Sequence, residues 1–405
     1  MATRVIEAVD ARARGLGGRR VESLEIGAFL RRLDWPLLAA TALLVAYGLW
    51  AIAGITRHDV QGNPDFYVVR QGVYVAIGTI AMLAAILIDP ALYRRFKRAI
   101  YAGTFGLMIL VLLAGAVARH SKRWLDVGFF RFQPSEFGKL LFVLFLAGFL
   151  ADRSRRLGEG RTVLTAIGYA AGPIVLVFVQ PDVGTALVYG IALAAVLFVA
   201  GTRWVHLALL GASALLIMLA VLWWLPAAGV HVLKPYQQHR LTDWTHPNND
   251  PAGATYNLFQ SIDAVGAGGV RGRGVAGATQ TRLHFLPEHR TDFVFASLAE
   301  QRGFFGVSIL LLLYLFVVWR GLKILAGARD AFSAIAAGGI VVAFLFQVFV
   351  NVGMTIGIAP ITGIPLPFLS VGGSSMIANL LAIGVLEAIH VRSVVPRRRR
   401  LTPSI

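Results

Sequence analysis

Cysteine is absent from the chain, which excludes disulfides, thiolate chemistry and Cys-ligated metals while leaving the compartment open. Charge is also thin. Only 15% of the 405 residues are charged, with 21 Asp and Glu against 38 Lys and Arg, and the formal net charge is +17. Hydrophobic residues make up 57%, with mean hydropathy +0.69, and they fall in runs of about 20 instead of amphipathic stripes. Such a chain is a polytopic membrane protein. The first 36 residues hold Glu7, Asp10, Glu22 and Glu25 and no apolar core, so they read as a basic cytoplasmic tail and not as a cleavable signal peptide.

Ten runs are long enough, or nearly so, to span a bilayer: 37–55, 68–88, 99–118, 136–151, 163–179, 182–201, 204–225, 304–325, 332–357 and 368–391. The shortest carries Glu136 and Lys139. It is retained because deleting it would place Arg153, Arg155 and Arg156 on the wrong side. The expected fold is therefore all-α, with ten transmembrane helices in one membrane domain, 37–391, between basic tails at 1–36 and 392–405. Most Lys and Arg lie in the two tails and in the turns Arg94–Arg98, Arg153–Arg161, Arg203 and Arg320–Arg329. The positive-inside rule makes that side the cytoplasm, with both termini on it. The basic excess is thus topogenic, and nucleic acid is not an expected partner. Arg397–Arg400 suits anionic membrane lipid instead.

The other basic residues cluster outside, in Arg119–Lys139 and Lys234–Arg302, where topology gives them no reason to be. They pair with nearby carboxylates or bind an anionic ligand, and the two readings are compatible. The densest polar island is HFLPEHRTDFVF, His284–Phe295, which sets Glu288, His289, Arg290 and Asp292 between apolar segments. It closes a long outer loop, 226–303, between the seventh and eighth spans. That loop is turn-rich at His246–Asn257, then rich in glycine at Gly266, Gly268, Gly269, Gly272, Gly274 and Gly277. No strand precedes these glycines, so they are no dinucleotide fingerprint. Close backbone approach to a ligand or membrane surface fits them, and so does plain loop flexibility.

Before the last span, Ile356–Ser375 combines Pro360, Pro365 and Pro367 with strong apolarity. This reads as a broken segment that dips back among the helices and lines a cavity. Gly372, Gly373, Ser374 and Ser375 then open the last helix, where free N–H groups suit an anion and small residues suit close packing. In RFQPSEFGK, Glu136 and Lys139 share one helix face and either pair or bind ligand. In QPDVG, Asp182 starts a helix, where a carboxylate is favoured whatever its function.

The segments RWLDVGFFRFQPSEFGK, QPDVGTAL, YQQHRL, FLPEHRTDFVFA and PITGIPLPFLSVGGSS, from about Leu33 to Arg392, together resemble the SEDS family of RodA, FtsW and SpoVE proteins. RLDW, Gln260–Ser261 and GATQTRLHFLPE look most like the RodA branch. The resemblance implies a ten-helix peptidoglycan glycosyltransferase that polymerises lipid II at the outer face of the cytoplasmic (inner) membrane, serving elongation and rod shape, beside a class B penicillin-binding protein. It places the essential aspartate at Asp292, and further functional positions at Glu136, Lys139, Asp182, Arg240, Ser374 and Ser375. Two positions depart from the family pattern: Gln301 follows Glu300 where two Glu are usual, and Val371 replaces a Tyr.

Chemistry supports the same choice. Joining a sugar hydroxyl to an anomeric carbon that bears a lipid diphosphate needs a base and cations for the departing charge. Asp292 is the expected base, with His289, Arg290, Lys139, Arg123 and Arg240 for the diphosphate, and direct attack inverts the linkage. A divalent cation, Mg or Mn, is the expected helper; no organic cofactor is expected, and no ligand spacing fixes a metal. Two other readings fit these features: a lipid II flippase, and a non-catalytic scaffold in which Asp292 would tolerate neutral replacement.

Overall fold

The computed structural model describes residues 27 and 29–394 apart from 119, 120, 129, 243 and 245–254. Most of both tails and most of His246–Asn257 lie outside the described residues. Helices α1 (Trp35–Ile55), α2 (Phe66–Leu87), α3 (Lys97–Ala114), α4 (Pro134–Ala151), α5 (Gly160–Val179), α6 (Val183–Val199) and α7 (Trp204–Leu219) precede the long outer segment. Within that segment lie α8 (Pro235–Thr242) and α9 (Tyr256–Gly268). Helices α10 (Val294–Gly327), α11 (Ala331–Thr355) and α12 (Gly373–Val394) follow. Among the described residues nine of these are long and apolar enough to cross a membrane; the shorter apolar α6 occupies the sixth expected run. The protein is a multi-pass membrane protein.

Helix ends follow local chemistry. Asp34 caps α1 by accepting from Leu37 N at 3.1 Å, and Asp330 caps α11 by accepting from Ser333 N at 3.0 Å. Asp34 also accepts from Arg320 Nε of α10 at 3.1 Å, while its own N–H donates to Glu387 of α12 at 3.1 Å. These buried groups tie three helices together at the end of α12 far from the broken segment. The enclosed helix is α4, 89% of whose apolar window is buried against 17% for α3. That enclosure is why a run carrying two charged residues can still span. Its Glu136 and Lys139 face protein and not lipid.

Two features depart from the sequence expectation. The third run was expected to reach residue 118, but α3 ends at Ala114. A three-stranded antiparallel sheet follows: β1 (Ala116–Ala118), β2 (Ser121–Val127) and β3 (Phe130–Phe132). The eighth span was expected from residue 304, but helix begins at Val294 and breaks at Gly303 (φ 63°, ψ −164°). Polar Glu300–Arg302 hid this first piece from hydropathy.

Part of the glycine-rich stretch meets neighbouring backbone. A Cβ on Gly268 would lie 2.0 Å from Ala299 O, and one on Gly272 (φ +80°) would lie 2.4 Å from Gln301 O. The stretch packs backbone against backbone, so that Arg273 N donates to Glu300 O at 2.9 Å and Phe304 N to Gly269 O at 2.9 Å. The break at Gly303 is what frees those groups to exchange hydrogen bonds.

Candidate active site

The segment between α11 and α12 has no regular structure, and its later part is buried: Ile364 and Leu366 are each 1% exposed and Leu369 is 0% exposed. Irregular backbone at that depth survives only where protein satisfies its polar groups. Asn351 Nδ2 on α11 donates to Ile364 O at 2.8 Å and to Asp292 O at 2.9 Å. Gln71 on α2 donates to Ser370 O at 3.3 Å and accepts from Gly372 N at 3.2 Å. Ser370 Oγ accepts from Leu366 N at 2.8 Å and donates to Thr291 O at 2.6 Å. Val371 N donates to Arg290 O at 2.9 Å, and Ile361 N to Arg240 O at 3.2 Å. The broken segment is thereby stitched to the loop that holds Asp292 and to α8, which holds Arg240.

Those two side chains converge on one glycine. At Gly363 (φ +70°) a Cβ would lie 3.2 Å from Asp292 Oδ2 and 3.9 Å from Arg240 Nη1. A side chain there would invade the space between the carboxylate and the guanidinium. Asp292 is half-buried at the foot of α10, and Arg240 is exposed. On the other flank of the segment, a Cβ on Gly184 would lie 2.5 Å from Thr362 O, so the start of α6 abuts the same turn. Asp182 caps that helix by accepting from Thr185 N at 3.1 Å, and Arg123 Nη1 stands 3.6 Å from its Oδ2. Arg123 also donates to Gln180 O at 3.2 Å and Pro181 O at 2.6 Å. Gln133 Nε2 donates to Asp182 Oδ2 at 3.3 Å, and Gln133 N donates to Ser374 Oγ at 2.9 Å. Arg123, Asp182 and Ser374 thus belong to one polar chain beside the segment.

The remaining candidates point elsewhere. Lys139 Nζ is 2.9 Å from Glu136 Oε1 and 2.8 Å from Gln347 Oε1, in an apolar cleft lined by α4, α10, α11 and α12. Ser375 accepts from Asn379 Nδ2 at 3.2 Å, a contact along α12. His289 Nε2 lies 2.9 Å from Asp59 Oδ1, and Arg290 Nη1 donates to Asp59 Oδ2 at 2.9 Å while stacking on Tyr67 at 4.5 Å. Burial alone would raise the Asp59 pKa, but the His289 and Arg290 contacts outweigh it and hold the carboxyl below its usual range. Asp59, His284 and His289 also gather three metal-ligating atoms. Glu288, in a left-handed conformation (φ 53°), accepts from Thr291 Oγ1 at 2.8 Å. Glu300 is fully buried and accepts from Gln280 N, Thr281 N and Thr281 Oγ1 at 2.7–2.9 Å.

Sequence reasoning missed Asp59, Gln71, Gln133 and Asn351. For two of them a signal was present: Gln71 and Asn351 are polar residues inside spans, where such residues carry structural or functional duties. On α11, Gln347, Asn351 and Thr355 repeat every fourth position and mark one polar face.

Comparison with known proteins agrees with this architecture. The family model described as "Cell cycle protein", that of FtsW, RodA and SpoVE, matches residues 32–394. Stage V sporulation protein E of Bacillus subtilis is 36% identical over 359 residues, covering 87% of this chain and 95% of that protein. Peptidoglycan glycosyltransferase MrdB of Escherichia coli is 34% identical over 370 residues, covering 91% of this chain and 96% of the relative. A solved peptidoglycan synthase complex, described as coordinating polymerization and crosslinking, contains a chain that superposes with TM-score 0.75 at 28% identity, over 90% of this chain and 99% of that one. The crystal structure of the rod shape determining protein RodA of Thermus thermophilus superposes with TM-score 0.64 at 26% identity, over 90% and 98%. With ordered motifs, fold and near-complete coverage in agreement, this chain belongs to the FtsW, RodA and SpoVE family of cell cycle proteins.

Proposed function

We propose that the chain is a peptidoglycan glycosyltransferase that polymerises lipid II, with Asp292 as general base. One observation carries the residue assignment: a carboxylate and a guanidinium converge over Gly363, on a broken segment that hydrogen bonds tie to α11 and to its own Ser370. The names of the E. coli and other relatives support the activity. In this reading Asp292 takes the proton of the acceptor hydroxyl as its oxygen attacks the anomeric carbon, and the lipid diphosphate leaves from the opposite face with inversion. Arg240, and Arg123 beyond the segment, steady the departing charge. Lys139 and Glu136 hold the helices that wall the site. A divalent cation, Mg or Mn, would draw on Asp292 and on substrate oxygens, since such ions take oxygen ligands.

The positive-inside pattern supports an outer-facing site with both termini in the cytoplasm. A class B penicillin-binding protein is the proposed partner, a reading supported by the solved synthase complex. The RodA-like motifs favour a role in elongation. Because the broken segment also suits a transporter, lipid II flipping is the second reading. Purified protein, with and without a candidate penicillin-binding protein, is given labelled lipid II. Glycan strands are the expected product. Movement of lipid II across vesicles without any polymer would replace the enzyme by the flippase.

A further inference from the structure

One cluster on the Asp292 loop has no part in glycosyl transfer as described above. Asp59, between α1 and α2, and His284 and His289, before α10, bring a carboxylate oxygen and two ring nitrogens within 4.8 Å of one another. The His289 to Asp59 separation of 2.9 Å is near the roughly 3 Å expected of two ligands sharing an ion at bonds of about 2 Å. The Asp59 carboxylate is 2% exposed and the His289 side chain 6%, whereas His284 is exposed and leaves a way in. His284 holds a left-handed backbone (φ 57°), uncommon outside glycine, and this sets its ring 5.2 Å from that of His289. Among the described residues, the His284 ring makes no hydrogen bond that would account for this pose.

We propose that Asp59, His284 and His289 form a binding site for a divalent transition metal, which ties the α1–α2 loop to the loop that carries Asp292. The donor set selects the ion class. Two imidazoles and one carboxylate suit Zn2+ and its neighbours, whereas Mg2+ prefers oxygen throughout. Three protein ligands leave a position for water on the open side. Arg290, at 2.9 Å from the second Asp59 oxygen, orients the carboxylate as an outer-shell donor, and its positive charge limits the affinity. Ser297 Oγ donates to His289 O at 3.1 Å, which anchors the same loop to α10. An ion at this place therefore acts on the position of the loop and not on the reacting sugar.

The test is a binding measurement on the full chain, purified in detergent without a histidine tag and stripped by chelation, so it does not depend on the enzyme reading. Titration with Zn2+ should show saturable micromolar binding and a raised melting temperature, and Co2+ should give the absorption bands of nitrogen and oxygen ligation. Excess Mg2+ should displace neither. His284→Ala should weaken Co2+ binding at least about 10-fold and abolish the Zn2+-induced melting shift, with metal-free melting unchanged. His284→Asp, which restores a ligand, should bind with an altered Co2+ spectrum, and it replaces the alanine variant if that one folds poorly. Absence of micromolar binding by the wild type overturns the site. So does a His284→Ala protein that binds Co2+ as tightly, with the same spectrum.

Discussion

Glu300, inside α10, and Asp292, in the loop just before it, lie close in sequence and in opposite surroundings. Glu300 is sealed and accepts three hydrogen bonds from the short helix Thr279–Arg282 and its start, so both of its oxygens are engaged within the protein. Asp292 is half-buried beside Gly363, where a Cβ would come within 3.2 Å of its Oδ2. The two commonest basic side chains repeat the contrast. Lys139 is closed between Glu136 and Gln347, while Arg240 is exposed. Charge inside this bundle does two jobs. One set holds helices together, and the other stands at the rim of the broken segment with reach to a ligand.

The contrast is broken most forcefully at the closed pair. Lys139→Met leaves Glu136 buried without its partner and should cost about 3–5 kcal/mol of stability, seen as a lower melting temperature with turnover falling in parallel. The double replacement Glu136→Leu with Lys139→Met should recover much of that loss. A Lys139→Met protein that melts like wild type yet polymerises poorly would move Lys139 into the substrate-binding set.

At Asp292 the pattern reverses. Asp292→Asn keeps size and much of the hydrogen bonding but cannot take a proton, so glycan synthesis should fall about 100-fold or more with melting unchanged. Glu300→Gln should instead lower stability by about 1–3 kcal/mol and affect turnover only through the folded fraction. Near wild-type synthesis by a well-folded Asp292→Asn protein would remove the proposed base. Arg240→Gln should come next, costing about 1.5–3 kcal/mol of diphosphate contact, or roughly 10-fold or more in kcat/KM, again with melting unchanged.

The smallest effect belongs to a closed cluster at the surface. Asp152 lies beyond the end of α4 and pairs with Arg94 and Lys97. Burial there raises its pKa, but the two cations outweigh this and leave it below the usual carboxylate value. A lowered folded pKa means that the stabilisation is present above the unfolded value of about 4 and is lost as pH falls through the lower folded one. The melting difference between wild type and Asp152→Asn should be within about 1 kcal/mol, flat from about pH 8 to 5, and should shrink in stronger acid. A difference that grows with acid would reverse the assignment.

The spans were legible because length and hydropathy are local properties, and even α4 was recoverable once arginine bookkeeping required it. The first piece of α10 was not. Glu300 looks like a loop residue until its partners at Gln280 and Thr281 are known, and those partners come only with the fold. The short β strands between α3 and α4 leave too little periodicity to read. Asp292 stood out because a carboxylate in a polar island beside apolar spans needs a reason, and Arg240 because topology gave it none. Their meeting over Gly363 was invisible, since nothing in a sequence says which glycine faces which carboxylate. His289 and Arg290 were read with the diphosphate for want of Asp59, whose part depends on a contact spanning about 230 residues.

Asn351 sets the spacing at the centre of this arrangement. A single amide nitrogen holds the carbonyls of Asp292 and Ile364, so the gap between the loop and the broken segment is fixed from the body of α11. The carboxylate sits on a loop, yet its placement inherits the stiffness of a buried transmembrane helix. Thermal wandering of the loop is thereby uncoupled from the gap across which a proton has to move.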